Sequence, residues 1–169
     1  MKVLTIIFGL VFFSHSVQSQ IITLTNPHPD SVNQYNEIGR NGLFVETCSK
    51  PLEDERMATG YYINEKREGV WMVVEHTRKK PRILIDVTFK DDKMNGVMNV
   101  YQKGKLKEQH SFVNDKLSGS SRFFSKSGKL IGIAKFSDDK FVRMEYDTRS
   151  KELPVLSIGQ SYFIPHCFK

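Results

Sequence analysis

Hydrophobic and polar positions alternate through most of this chain in runs a few residues long, each closed by a cluster of turn-forming residues. Ile83-Leu84-Ile85-Asp86-Val87-Thr88-Phe89 and Leu130 to Phe136 are typical: rich in β-formers and bounded by polar turns. The spaces between such runs leave no room for a crossover helix, so consecutive strands must run antiparallel. The pattern predicts an all-β fold, an antiparallel β-meander forming a single twisted sheet.

The pattern also recurs. An aromatic residue is followed seven positions later by glycine in Tyr35/Gly42, Tyr62/Gly69, Phe89/Gly96 and Phe112/Gly119, and Phe136 stands where the next glycine would fall on Arg143. The starts lie 27, 27, 23 and 24 residues apart. Such a period marks a repeat array, whose units are too small to bury a face alone and must stack on their neighbours.

Each unit reads as a hairpin. After the aromatic comes one residue, then Asn64-Glu65, Asp91-Asp92, Asn114-Asp115 or Asp138-Asp139, then lysine. Two-residue hairpin loops need positive φ, which Asn and Asp tolerate best after glycine. With these pairs as loops, Phe89 faces Met94, Phe112 faces Leu117 and Phe136 faces Phe141, while Gly96 falls opposite Val87 and Gly119 opposite His110. A second set of turns, His76 to Arg82, Gln102 to Lys105, Ser125 to Lys129 and Asp147 to Glu152, lies on the other edge. Repeated glycines and aromatics are expected to hold the sheet rather than a ligand.

An aromatic, a polar turn ending in Lys, a Gly three residues after that Lys, a further aromatic five later (Tyr101, Phe124) and then Gly-Lys-Leu resembles the bacterial variant of the MORN repeat. The resemblance runs from about Tyr35 to Leu153 and is clearest from Tyr62 to Lys140. It implies a single-layer scaffold or binding surface, in a family whose members are often labelled antitoxin components of toxin–antitoxin systems. The chain departs from that pattern at Asp92, Asp115 and Asp139, where Gly is usual, and at Arg143. These departures predict weaker turns in an unchanged architecture.

Residues 1–19 have the three parts of a secretory signal: Lys2, an apolar core from Val3 to Phe13, and Val17-Gln18-Ser19 before Gln20. The expectation is export, periplasmic, outer-surface or secreted, which puts a cytoplasmic toxin out of reach. No later stretch has the ~20 apolar residues of a spanning helix. Residues 20–34 then form an extended lead-in, 35–153 the array of about 4.5 units starting at 35, 62, 89, 112 and 136, and 154–169 a capping tail. Loss of Lys2 lowers the formal net charge from +6 to +5. The 39% hydrophobic content suits a sheet with solvent on at least one face.

The two cysteines, Cys48 and Cys167, invite a disulfide in an exported chain. A flat meander sets them some eight strands apart, about 38 Å at ~4.8 Å per strand, so a bridge requires the tail to pack back along a sheet face; free or intermolecular thiols are the alternative. His166 beside Cys167 points to the opposite side of a strand, and His28, His76 and His110 are scattered, so no metal site is expected. Asp91-Asp92 and Asp138-Asp139 lack calcium-loop spacing. No nucleophile elbow, phosphate loop or dinucleotide fingerprint occurs, so neither catalytic residues nor a cofactor are expected.

Charge is partitioned between the two edges. The hairpin-loop edge mixes signs. The other carries Arg78, Lys79, Lys80 and Arg82, then Lys103, Lys105 and Lys107, then Lys126 and Lys129. Stacked turns would join these cations into a stripe suited to anionic headgroups or polysaccharide, at about 1 kcal/mol per cation near an anionic membrane; a solvated row that discourages edge aggregation is the plainer account. Nucleic acid suits the charge but neither the compartment nor the lack of stacking aromatics. The sequence points to an exported, non-catalytic scaffold for a protein or an anionic envelope component. An envelope enzyme subunit with its site on the sheet face, or an antitoxin-like inhibitor of a protein partner, is the competing reading. The oligomeric state stays open.

Overall fold

The structure, a computed structural model, describes residues 32–48, 56–75, 77, 80–147 and 168. The signal segment 1–19, almost all of the lead-in, and residues 148–167 and 169, hence the capping tail apart from Phe168, lie outside the described residues.

Twelve strands are described: β1 (Tyr35–Asn36), β2 (Gly39–Arg40), β3 (Gly42–Thr47), β4 (Arg56–Ile63), β5 (Lys66–Glu75), β6 (Arg82–Lys90), β7 (Lys93–Gln102), β8 (Lys105–Val113), β9 (Lys116–Leu117), β10 (Gly119–Phe124), β11 (Leu130–Ser137) and β12 (Lys140–Asp147). β3 to β12 form one open antiparallel sheet in chain order, β9 and β10 both pairing with β8, while β1 and β2 make a separate small hairpin. The meander is thus as expected, with the hairpin that opens the array, β1–β2, outside the main sheet.

The four hairpin loops adopt the geometry their residues suggest. Asn64, Glu65, Asp91, Asp92, Asn114, Asp115, Asp138 and Asp139 all have φ between 48° and 69°, the left-handed region of both central positions in a type I′ turn. Their twist matches that of the strands they join. Phe89 pairs with Met94, Phe112 with Leu117 and Phe136 with Phe141, as the loops require.

Beyond those first pairs the register departs from a plain ladder. Gly96 is not opposite Val87: Phe89 pairs with Met94 and Val87 with Met98, so Asn95, Gly96 and Val97 lie against Thr88 alone. Nor is Gly119 opposite His110, because β10 rejoins β8 at Arg122 and Gln109 with a similar surplus of two residues. β5 carries the equivalent bulge, Gly69-Val70-Trp71 against Gly60. At each bulge the glycine takes positive φ, 71° at Gly69, 133° at Gly96 and 105° at Gly119. The repeated glycine is therefore a bulge residue, required by backbone conformation and not by a cross-strand ring. In the last hairpin Arg143 occupies that position without positive φ, and the surplus splits into two single residues, Val142 and Glu145.

One face of the sheet holds the core. A ladder of edge-on aromatic contacts runs from Tyr35 to Phe44 (5.5 Å), Tyr62 (5.1 Å), Trp71 (5.0 Å) and Phe89 (6.4 Å). Each such pair is worth roughly 0.5–1.5 kcal/mol beyond the area it buries. Met94, Met98, Phe112, Leu117, Phe123, Ala134 and Phe136 continue the buried surface. Trp71 is fully buried, lies over Gly60, and donates from Nε1 to the Tyr61 carbonyl at 3.1 Å. Phe168, four strands or more from where β12 ends, sits against Trp71 and Phe89. The chain end thus comes back to the core face, as a bridge from Cys48 demands. Cys48 itself packs against this core and is disulfide-bonded; Cys167, the other cysteine of the chain, lies outside the described residues.

Candidate functional site

The two edges differ in how their charges are used. On the hairpin-loop edge, each acidic turn reaches back to the preceding unit. The Asp92, Asp115 and Asp139 N–H groups donate to the carbonyls of Arg67, Met94 and Leu117 at 3.1, 2.9 and 2.9 Å. In return the N–H groups of those same residues donate to the Asp92, Asp115 and Asp139 carboxylates at 3.4, 2.7 and 2.7 Å. Glu65 makes the same two-way contact with Arg40, whose Nε also donates to it at 2.8 Å.

This clasp explains the three departures from glycine. A hairpin's first non-bonded pair turns its N–H and carbonyl outward, and the acidic second residue of the next turn satisfies both. Glycine could supply only the N–H. The expectation of weaker turns therefore missed an interaction between units.

Three cations of this edge are matched across units, while Lys90, Lys93 and Lys140 are exposed and form no ion pair among the described residues. Lys66 pairs with Asp91 at 3.0 Å, Arg67 with Asp92 at 3.4 Å, and Lys116 with Asp138 at 3.7 Å. The lysine hydrogen bond holds the Asp91 carboxyl below its ordinary value and raises Lys66. Hydrogen bonds from the Arg40 backbone and side chain likewise lower Glu65.

The opposite edge has no such matching. Lys80, Arg82, Lys103, Lys105, Lys126 and Lys129 are exposed and form no ion pair among the described residues, and Lys105 Nζ donates instead to the Lys126 carbonyl at 3.1 Å. Lys103 and Gly104 form a two-residue turn at positive φ, 53° and 76°. Of the expected stripe, Lys107 is taken up by Glu108 at 3.0 Å, while Arg78 and Lys79 lie outside the described residues. The turns thus bring together six cations from three successive turns, spaced two strands apart, or about 10 Å.

A polar strip crosses the face opposite the core, and sequence reading did not find it. Asn99 Nδ2 and the Tyr101 hydroxyl each donate to Asp86 at 2.8 Å, one to each carboxylate oxygen. Gln109 Nε2 donates to Asn99 Oδ1 at 3.0 Å, and Arg122 Nη1 to Gln109 Oε1 at 2.9 Å. The chain of bonds spans β6, β7, β8 and β10. Burial pushes the Asp86 carboxyl up against the effect of its two donors, and burial beside that carboxyl pushes the Tyr101 hydroxyl up. The signal was Asp86 itself, a carboxylate inside an apolar strand. Half-exposed apolar side chains, Tyr61, Ile63, Val70, Val97 and Val113, lie elsewhere on β4, β5, β7 and β8.

On the core face, His110 stands between Ser121, with Oγ 2.9 Å from Nδ1, and Glu108, with Oε2 3.3 Å from Nε2. These are the residue types of a hydrolytic triad. Here, however, Ser121 and His110 have no exposed surface, so no carbonyl can reach Oγ. The set satisfies buried polar groups in the sheet core. The His110 hydrogen bond, with Lys107 alongside, holds Glu108 below the usual carboxylate range despite its burial.

Among the described residues no group of three or more His, Cys, Asp or Glu side chains could hold a metal ion, and no helix is long and apolar enough to cross a membrane. No protein-family model and no curated protein matches the chain.

Proposed function

We propose that this chain is an exported, non-catalytic repeat scaffold of the MORN-like type, and that its basic edge holds an anionic component of the cell envelope or an acidic protein surface. One observation carries the reading. On one edge every turn carries carboxylates, which pair with three of its cations across units, while on the other edge six exposed cations form no ion pair among the described residues. Unmatched cations in a row raise the local potential and favour a polyanion, with a strength that falls as salt is added. Export is supported by the three-part segment at residues 1–19 and by the oxidised state of Cys48.

The second reading, an envelope enzyme subunit with its site on the sheet face, draws on the polar strip. Both Asp86 carboxylate oxygens are already engaged there, which favours a rigid surface over a reacting one. An antitoxin-like inhibitor would need cytoplasmic retention. The test is capture of residues 20–169 on envelope fractions at rising salt, beside a variant with Lys80, Arg82, Lys103 and Lys105 changed to Gln. Capture that weakens with salt and disappears in the variant supports the basic edge. Equal capture by both refutes it and moves the search to the strip.

A further inference from the structure

The two ends of the sheet are finished differently. At β3 the outer edge is occupied. Asn33 N–H donates to the Leu43 carbonyl at 2.8 Å, its side-chain Oδ1 accepts from Val45 N–H at 2.8 Å, and its Nδ2 donates to the Val45 carbonyl at 3.3 Å. Val32 adds a parallel bridge to Leu43. A single asparagine thus stands in for a neighbouring strand.

At β12 nothing among the described residues does this. Phe141 occupies the position that an acidic turn clasps in every earlier unit, and no further unit follows among the described residues. Its N–H and carbonyl point outward from the hairpin, and the side chains beside them, Phe141 and Val142, are about half exposed, at 46% and 52%. The charges of the strand are ordered as well. Lys140 and Arg143 come first and Glu145 after them, with Arg143 and Glu145 on one face, 2.8 Å apart.

We propose that β12 pairs antiparallel with β12 of a second copy of this chain, about a two-fold axis at Met144. That register sets Arg143 of each copy opposite Glu145 of the other. Opposite charges directly across an antiparallel pair stabilise it, and like charges destabilise it. Because β3 is plugged and β12 is the open end of the main sheet among the described residues, pairing closes at two copies and does not run on into a filament.

The test is sedimentation velocity on the purified chain as the cell produces it, over a concentration series, with two charge-reversed variants. Arg143→Glu gives each edge two anions and Glu145→Arg gives it two cations, so either variant alone should self-associate at least roughly tenfold more weakly, the equivalent of ~1.4 kcal/mol. Mixed together, the two variants place opposite charges across both pairs and should recover a dimer. Recovery on mixing also shows that both variants are folded. A wild-type chain that sediments as a monomer throughout, single variants that dimerise as well as wild type, or a mixture that stays monomeric would each overturn the proposal.

Discussion

Replacing Asp115 by glycine separates the two roles of the acidic turn. Glycine takes the left-handed backbone at φ 69° with no side-chain penalty, and a non-glycine residue pays up to ~1–2 kcal/mol there, less for aspartate. On that ground alone the variant should be more stable. The clasp argues the other way: the N–H of Met94, a buried residue, donates to the Asp115 carboxylate at 2.7 Å, and a hydrogen bond to a charged acceptor is worth about 1.5–3 kcal/mol. The net expectation for Asp115→Gly is a loss of about 1–2 kcal/mol. Asp115→Ala, which loses the acceptor and keeps the backbone cost, should lose about 2–4 kcal/mol. Asp115→Asn keeps an acceptor oxygen and should lie within about 1 kcal/mol of the parent. Urea unfolding followed through Trp71, the single tryptophan of the chain, reads all three: at a slope of about 2 kcal/mol per molar, Asp115→Gly should move the midpoint down by roughly 0.5–1 M with the slope unchanged. A glycine variant at or above the parental midpoint would show that the turn conformation governs this position and that the clasp contributes nothing.

Gly60→Ala should be among the most damaging small substitutions, because a Cβ there would run into the buried Trp71 ring; the expected cost is about 3 kcal/mol or more, with a red-shifted Trp71 emission in the folded protein as the check. Asp86 has a folded pKa raised by burial, so its contribution is most favourable at acid pH and falls as pH rises from the ordinary carboxylate range through the folded value. The stability of the parent relative to Asp86→Asn should fall over that window and level off above it, and a difference independent of pH would contradict the assignment. Peptide mapping without reduction should yield Cys48 joined to Cys167, and Cys48→Ser should cost about 2–4 kcal/mol in denaturant; a free Cys167 thiol in the parent would exclude the pairing.

Much of the main sheet could be read from alternation and turn chemistry, because both are local. Asn114-Asp115 dictates a tight loop, and the loop then dictates Phe112 against Leu117. The bulges were hidden because a glycine in an alternating strand looks like one more paired position. Its positive φ, 133° at Gly96, appears only when both neighbouring strands are in place. The clasp was hidden for a different reason: Asp92, Asp115 and Asp139 look like imperfect turn residues until the preceding unit is set beside them. The polar strip joins positions 86, 99, 109 and 122, whose intervals follow no single period because they are reflected back and forth through hairpins and bulges. The basic edge was visible as composition, but that six of its cations form no ion pair among the described residues is a fact of three dimensions.

The glycine bulges each lengthen a strand by two residues, and an even increment leaves the alternation of sides undisturbed. The glycine bulges therefore leave the phase of their hairpins unchanged. The 27-residue and 23-residue spacings coexist for the same reason: their difference of four is absorbed in the loop between Glu75 and Arg82, six residues long against two between Gln102 and Lys105. A gene encoding such a chain can gain or lose whole units by duplication or deletion without turning any neighbouring unit inside out, and the acidic turn of whichever unit comes next is already built to close on the one before. The sheet is in that sense a form of open length, ended among the described residues by Asn33 at one side and at the other by the hairpin that has Arg143 where its predecessors have glycine.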